Sequence, residues 1–320
     1  MTTYKDIKGT NIQVLSSDPT NPLLGQIWYN TTSNTLKGIE FATAAWATGG
    51  NMPAGRQELA GAGTQTAGLA FGGEAPAEDY SNKTFEYDGS SWTDGGNLAT
   101  ARLLLGGAGT QTAGLAFGGI NPGRTAATEE YGGTSWTNGG NMSDARESLA
   151  GAGTQTAGLA IAGDVGPKRQ TEEYNGTSWT NGGNVGTARY MLAGAGTQTA
   201  ALAFGGSPPT GGLTATEEYN GTSWTNGGNL GTARYKIGGC GLQTAGLAYG
   251  GQVSGGDKVA NTELYDGSSW TASAVMNTAT SLFGSAGIQG GALAFGGTIG
   301  NKNQTQEFAV GPITVSISGS

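Results

Sequence analysis

The sequence predicts an all-β fold assembled from repeats, and three observations carry that prediction. One phrase returns along the chain: "LAGAGTQTAGLAFGG" at residues 59–73, then "LGGAGTQTAGLAFGG", "LAGAGTQTAGLAIAG" and "LAGAGTQTAALAFGG". Two markers share one drifting period: Gln65, Gln111, Gln155, Gln198, Gln243 and Gln289 are spaced by 46, 44, 43, 45 and 46 residues, and Trp46, Trp92, Trp136, Trp179, Trp224 and Trp270 give the same intervals. Helix periodicity is missing, because apolar residues alternate with small or polar ones and 62 of the 320 residues are Gly. A shared period with drifting length places the length changes in loops.

Each unit reads as four short strands. Strand a is "LAGAG", a tight turn at "TQTAG" follows, and strand b is "LAFGG". After a variable loop come strand c, "TEEY", a turn such as "NGTS", and strand d with its Trp. The link "TNGGNLGTAR" leads to the next strand a. A four-stranded unit of about 45 residues with one Trp is the pattern of a β-propeller blade. Strand a would lie where blades crowd together, which explains its Gly and Ala. Tyr and Trp, five residues apart in each complete copy, would fill the wider gaps farther out. The Gly pair ending strand b permits the positive φ with which the chain leaves the sheet.

The ends set the blade count. "GQIWYNTTSNTLKGIEFATAAW" supplies strands of b, c and d type, "NIQVL" at 11–15 can serve as strand a, and "QEFAVGPITVSIS" offers a c strand and a Trp-less d strand. Seven sets nearly fill the chain, so seven blades are favoured over six. The rival is six blades, with the Trp46 strand closing beside the C-terminal c strand and the Trp28 hairpin left outside. The expected domains are an N-terminal arm, 1–24, and a propeller, 25–320, with six clear repeats from about 46 to 310.

A hydrophobic strand ending in Gly-Gly, then Tyr, then Trp, then Arg before the next strand, resembles the kelch repeat over residues 46–310. The chain departs from it at "IAG", Ile161–Gly163, and at Thr280, which stands where the other copies carry Arg. The resemblance implies a propeller of the architecture found in the central domain of galactose oxidase.

Composition limits the chemistry. There is no His, which removes His-dependent triads, most zinc sites and the copper site of galactose oxidase. The single Cys240 stands where other copies carry Ala and excludes an intrachain disulfide. No cofactor and no metal are expected. A net charge of −8 without a basic cluster argues against nucleic acid. No apolar run suits a signal peptide or a membrane span, so synthesis in a cytoplasm is expected.

Glu129/Glu130, Glu172/Glu173 and Glu217/Glu218 are paired carboxylates, but they recur in each copy and neighbours on a strand face opposite ways. Acid–base catalysis on sugars needs one asymmetric pair instead. Arg56, Arg102, Arg146, Arg189 and Arg234 recur once per copy, and each is expected to bond loop carbonyls or a strand-c Glu. A sialidase-like arginine pocket is disfavoured because "NGTSW" lacks that family's Asp. Asn175 and Asn220, in N-x-T/S sequences, read as turn residues. "GAGTQTAG" lacks the Lys and the helix of a phosphate loop.

Function is expected where the copies differ. The a–b and c–d turns barely vary, whereas the b–c loops are individual: "EAPAEDYSNK", "INPGRTAA", "DVGPKRQ", "SPPTGGLTA", "QVSGGDKVAN" and "TIGNKN". The candidate binding residues are therefore Asp79 and Tyr80, Arg124, Lys168 and Arg169, Pro208, and Asp257 with Lys258.

Upstream, "DPTNPLLGQIWYNTTSNTLKGIEFATAAW" resembles a short β element near the start of bacteriophage tail-fibre and other virion proteins. The Gly-rich repeats resemble those of marine phage proteins, cyanophages among them. Together they imply a non-enzymatic virion protein, in a tail fibre or surface decoration and oligomeric in the particle. It would attach to a host-surface glycan or to another virion protein. The alternatives are an intracellular kelch-type interaction scaffold and a carbohydrate-active enzyme.

Overall fold

A computed structural model of the chain describes residues 12–19, 27–41, 44–76, 79–164, 166, 168–208, 211–298, 302–310 and 312–317. The described residues contain strands and no helix, and they form seven four-stranded sheets. The chain divides into two compact units, one of residues 1–44 with 310–320 and one of residues 45–309. Most of the expected arm, 1–24, lies outside the described residues.

In the smaller unit, Gln13–Leu15 pairs parallel with Ile27–Asn30, which pairs antiparallel with Thr35–Phe41 and through it with Pro312–Ile317. Its fixed point is Asp18, which accepts hydrogen bonds from the Trp28 indole (3.1 Å), Asn30 (2.6 Å) and Lys37 (2.7 Å). These donors, Lys37 foremost, hold the Asp18 carboxyl down at about 2.

The larger unit holds the other six sheets, each antiparallel in the order a-b-c-d. The third is representative: Ala150–Thr154, Ala157–Ile161, Thr171–Tyr174 and Trp179–Asn181. In the sixth sheet, strands Gly284–Ile288, Gly291–Phe295 and Thr305–Ala309 are completed by Ala45–Thr48. Trp46 thus sits opposite Phe308 in the register that places Trp179 opposite Tyr174. Seven sheets were expected, but they divide six and one between the units. The C-terminal strand Pro312–Ile317 pairs with Thr35–Phe41 rather than following Thr305–Ala309, and "NIQVL" contributes no strand a to the larger unit.

Neighbouring copies in the larger unit are joined by recurring contacts that explain the repeated phrase. Each Gln reaches carbonyls of the preceding copy, as Gln155 does at Gly114 (3.0 Å) and Tyr131 (2.7 Å). Each indole donates to a strand-c Thr of the preceding copy, as Trp179 does to Thr128 at 2.9 Å. Five Tyr hydroxyls donate to the Glu at the third position of the preceding copy's strand c, as Tyr174 does to Glu130 at 2.5 Å. The same links run from the first copy to the sixth: Gln65 to the Phe308 carbonyl (2.8 Å), Trp92 to Thr305 (2.9 Å) and Tyr87 to Glu307.

Packing follows the same path. The aromatic residue ending strand b lies against the Trp of the next copy, with Phe71–Trp136, Phe117–Trp179 and Phe204–Trp270 centroids 4.9–5.0 Å apart. Phe295 meets Trp92 at 5.0 Å. At the strand-a end the backbones themselves touch: a methyl group placed on Gly194 would lie 2.7 Å from the Gly151 carbonyl oxygen of the neighbouring strand. Only hydrogen fits there. Cys240 belongs to this small-residue layer, and burial pushes its thiol up to about 12.

Candidate binding face

The conserved scaffold ends at the d–a link, and the Arg of each link fixes the base of the b–c loops. Arg146 is fully buried and donates from Nη1 to the carbonyls of Ala162 (2.8 Å) and Gln170 (2.9 Å), and from Nη2 to Glu172 (2.7 Å). Arg102–Glu129 (2.9 Å), Arg234–Glu263 (2.6 Å) and Arg189–Glu217 repeat the arrangement. The second Glu172 oxygen accepts the Ser143 N–H at 2.7 Å, so the carboxylate is held on both sides. Burial pulls each of these guanidinium groups below its ordinary value, and the facing Glu opposes the shift. Arg56 differs: it donates to the Gly72 carbonyl (3.3 Å) and to Ser81, and lies 4.6 Å over the Phe85 ring.

The two carboxylates of "TEEY" therefore have separate tasks. The first, Glu172, faces Arg146 within its own copy, and the second, Glu173, accepts the hydroxyl of Tyr219 from the next. Asn175 and Asn220 cap their turns by accepting two backbone N–H groups each at 2.9–3.0 Å.

Among the candidate residues, Arg124 and Lys168 are brought together. Arg124 contacts Glu147 (3.2 Å) and Asp164 (2.9 Å), and Lys168 contacts Asp144 (3.2 Å) and Asp164 (3.6 Å). Two b–c loops are thereby tied around the buried Asp164. Arg169 donates to the Val185 carbonyl at 2.6 Å and is otherwise exposed. The Pro208 carbonyl accepts from Ser207 Oγ at 2.6 Å, and Lys258 donates to the Thr298 carbonyl at 3.1 Å beside the exposed Asp257. Asp79 is exposed and Tyr80 half-buried. Among the described residues, no recorded side-chain contact joins Asp79, Tyr80, Pro208 or Asp257 to the Arg124–Lys168 group.

A second feature on this face lies outside the sequence expectation. The residue two positions after each link Arg, or after Thr280, has a left-handed backbone: Glu58, Leu104, Ser148, Met191, Lys236 and Leu282, with φ between 51° and 59°. Such a conformation costs a non-Gly residue roughly 1–2 kcal/mol, so each needs outside support. The support is mutual. Glu58 N–H donates to the Leu282 carbonyl, Leu104 to Glu58, Ser148 to Leu104, Met191 to Ser148, Lys236 to Met191, and Leu282 to Lys236, at 2.8–3.4 Å.

These six residues, with the residue after each, line one cavity of about 90 Å³. Polar and apolar side chains alternate around it: Glu58, Leu104, Ser148, Met191, Lys236, Leu282. Isolated bridges such as Gln57 to Glu74 and Tyr190 to Ser207 tie the residue before each to the start of a b–c loop. Burial, and after it the Glu74 charge, raise the Glu58 carboxyl above its ordinary value, against the pull of Lys236 and Lys302. In the sequence this position varies from copy to copy, but so do its neighbours in the link, such as Gln57, Leu103, Glu147 and Tyr190, so nothing singled it out. The chain matches no known protein-family model and none of the curated proteins compared with it.

Proposed function

We propose that residues 45–309 form a six-bladed propeller of kelch type and that the chain is a non-catalytic virion protein of a bacteriophage. It would serve in a tail fibre or surface decoration, docking through its b–c face onto a host glycan or another virion protein. Six blades are supported by the contacts that join the sixth copy to the first in the same manner as every other pair. The docking role rests on one observation: the copies share their scaffold contacts yet carry a different loop each and, at the cavity, five residue types in six copies, all on one face. Such a surface has no internal symmetry and suits a single asymmetric partner. The virion setting rests on the resemblance of "DPTNPLLGQIWYNTTSNTLKGIEFATAAW" to phage structural proteins.

Electron microscopy of purified particles carrying a tag on this chain tests the setting. Label at defined positions on the tail or capsid is the expected result. A chain present in infected cells but missing from particles would overturn it in favour of an intracellular scaffold. Exchanging residues 120–127 with 164–170 tests the face: particles should still assemble around the chain but lose attachment, and unchanged attachment would move the docking site elsewhere.

A further inference from the structure

Glu58, Ser148 and Lys236 all line the cavity. The Glu58 carboxylate makes no hydrogen bond or ion pair, and Lys236 has only the ring of its neighbour Tyr235, 5.5 Å away. Ser148 is buried, and its Oγ is without a hydrogen bond. Glu58 and Lys236 are half-buried, and a carboxylate and an ammonium group that line one cavity without forming an ion pair are both open to a ligand. The three come from alternate copies, so they stand apart around the cavity, and Leu104, Met191 and Leu282 separate them. Glu58 and Lys236 attract each other through space without forming an ion pair.

We infer that this cavity binds a small zwitterion of the α-amino-acid class. Its ammonium group donates to the Glu58 carboxylate. Its carboxylate accepts from the Lys236 ammonium, and its short aliphatic part lies against Leu104, Met191 and Leu282. A simple cation would leave Lys236 unmatched, and a simple anion would leave Glu58 unmatched. Size argues the same way: about 90 Å³ is far below the ~300–1,000 Å³ of sites for drug-sized ligands. The charged surroundings are mixed. Glu74 and Glu147 add negative potential at Glu58, while Lys236 and Lys302 add positive potential. A neutral molecule carrying both charges suits that field. The proposal concerns the cavity alone and is independent of what the b–c loops dock to.

Met191 lines the cavity, and its methyl resonance serves as the reporter. Glycine, alanine, serine and valine would be titrated separately into the full-length chain labelled at its Met methyl groups. The expected result is a saturable shift of the Met191 resonance with at least one of them. That amino acid's amide and its N-acetyl derivative, each lacking one charge, should bind roughly tenfold more weakly or worse. Glu58→Gln should weaken the amino acid yet leave the N-acetyl derivative unchanged, and Lys236→Met should leave the amide unchanged. Neither side chain carries a scaffold contact, and unchanged melting of both variants would verify that. The inference is overturned if no amino acid gives a saturable shift, if the amide and N-acetyl forms bind as tightly, or if neither substitution changes binding.

Discussion

Arg146 is enclosed by protein on every side, and the chain tolerates that charge only because Glu172 and two carbonyls are enclosed with it. Two copies lack the pair. The sixth has Thr280 for the Arg and Gln306 for the Glu, and the Gln amide bonds the Thr278 backbone at 3.0 and 3.2 Å. The first keeps Arg56 but sets it over Phe85. Removing one charge of a buried pair strands the other, at a cost of about 3–5 kcal/mol. Arg146→Ala should therefore lower unfolding stability by that amount in denaturant titrations. Arg146→Thr with Glu172→Gln, which copies the sixth sheet's solution, should lose clearly less; an equal loss would show that the ion pair is not the reason. The Tyr–Glu links predict a pH dependence. Burial first, and then the Glu acceptor, raise Tyr87, Tyr131, Tyr174, Tyr219 and Tyr265 to about 12, against about 10 in an unfolded chain. The folded state then holds more protons between those values. The contribution is complete below pH 10 and is lost as pH rises through about 12. Tyr131→Phe should make that alkaline decline shallower. These roles could be read in the sequence because the same residue type is needed at every copy. The cavity residues could not be found that way, since Glu58, Ser148 and Lys236 hold equivalent positions with unrelated side chains.

At the scale of the strand, the poverty of "GAGT" follows from where strand a lies. Gly194 has an ordinary φ, so the obstacle to a side chain is crowding, foremost by the Gly151 carbonyl of the adjoining strand and then by Ala150 and Ile161. A backbone carbonyl cannot rotate away as a side chain can. Gly194→Ala should cost about 1–3 kcal/mol as an overpacked site. Gly123, in a b–c loop with nothing within 4 Å of an added methyl group, should accept Ala within about 0.5 kcal/mol. Thermal or denaturant unfolding of the two variants measures the difference, and equal effects would remove crowding as the reason for glycine. The strand pattern itself was legible, because a period of two within strands and a period near 45 between them are both local signals. The partner of Ala45–Thr48 was legible only as one of two alternatives, the six-bladed one, and was not the favoured one. Its neighbour Thr305–Ala309 lies far along the chain, and a period fixes the kind of strand without saying which sheet it completes.

That pairing decides how the larger unit is held together. Five of its six sheets take all four strands from one continuous stretch of chain, and the sixth takes its outer strand from residues 45–48. Trp46 there bonds Thr262 at 2.9 Å and packs against Tyr249 and Phe308, as its counterparts do in their own copies. Closing the sixth sheet this way makes the first and last copies mutually dependent and leaves Thr305–Ala309 without an unpaired edge. The register gives a direct test. Phe308 faces Trp46 as Tyr174 faces Trp179 across the four residues Asn175–Ser178. A permuted chain can therefore begin at Gly49, run to Phe308, continue through Asn-Gly-Thr-Ser and end with Trp46–Thr48. It should fold as a monomer with cooperative unfolding, because the larger unit keeps its contacts apart from those of Ala45 and Ala309 and one long-range closure becomes a local hairpin. Its refolding should also be faster than the parent's, since fewer of its contacts span the whole chain. The same permutant ending at Phe308, without the returning strand, should instead associate or unfold early through its open edge. Matching melting temperatures for the two would mean that Ala45–Thr48 closes nothing.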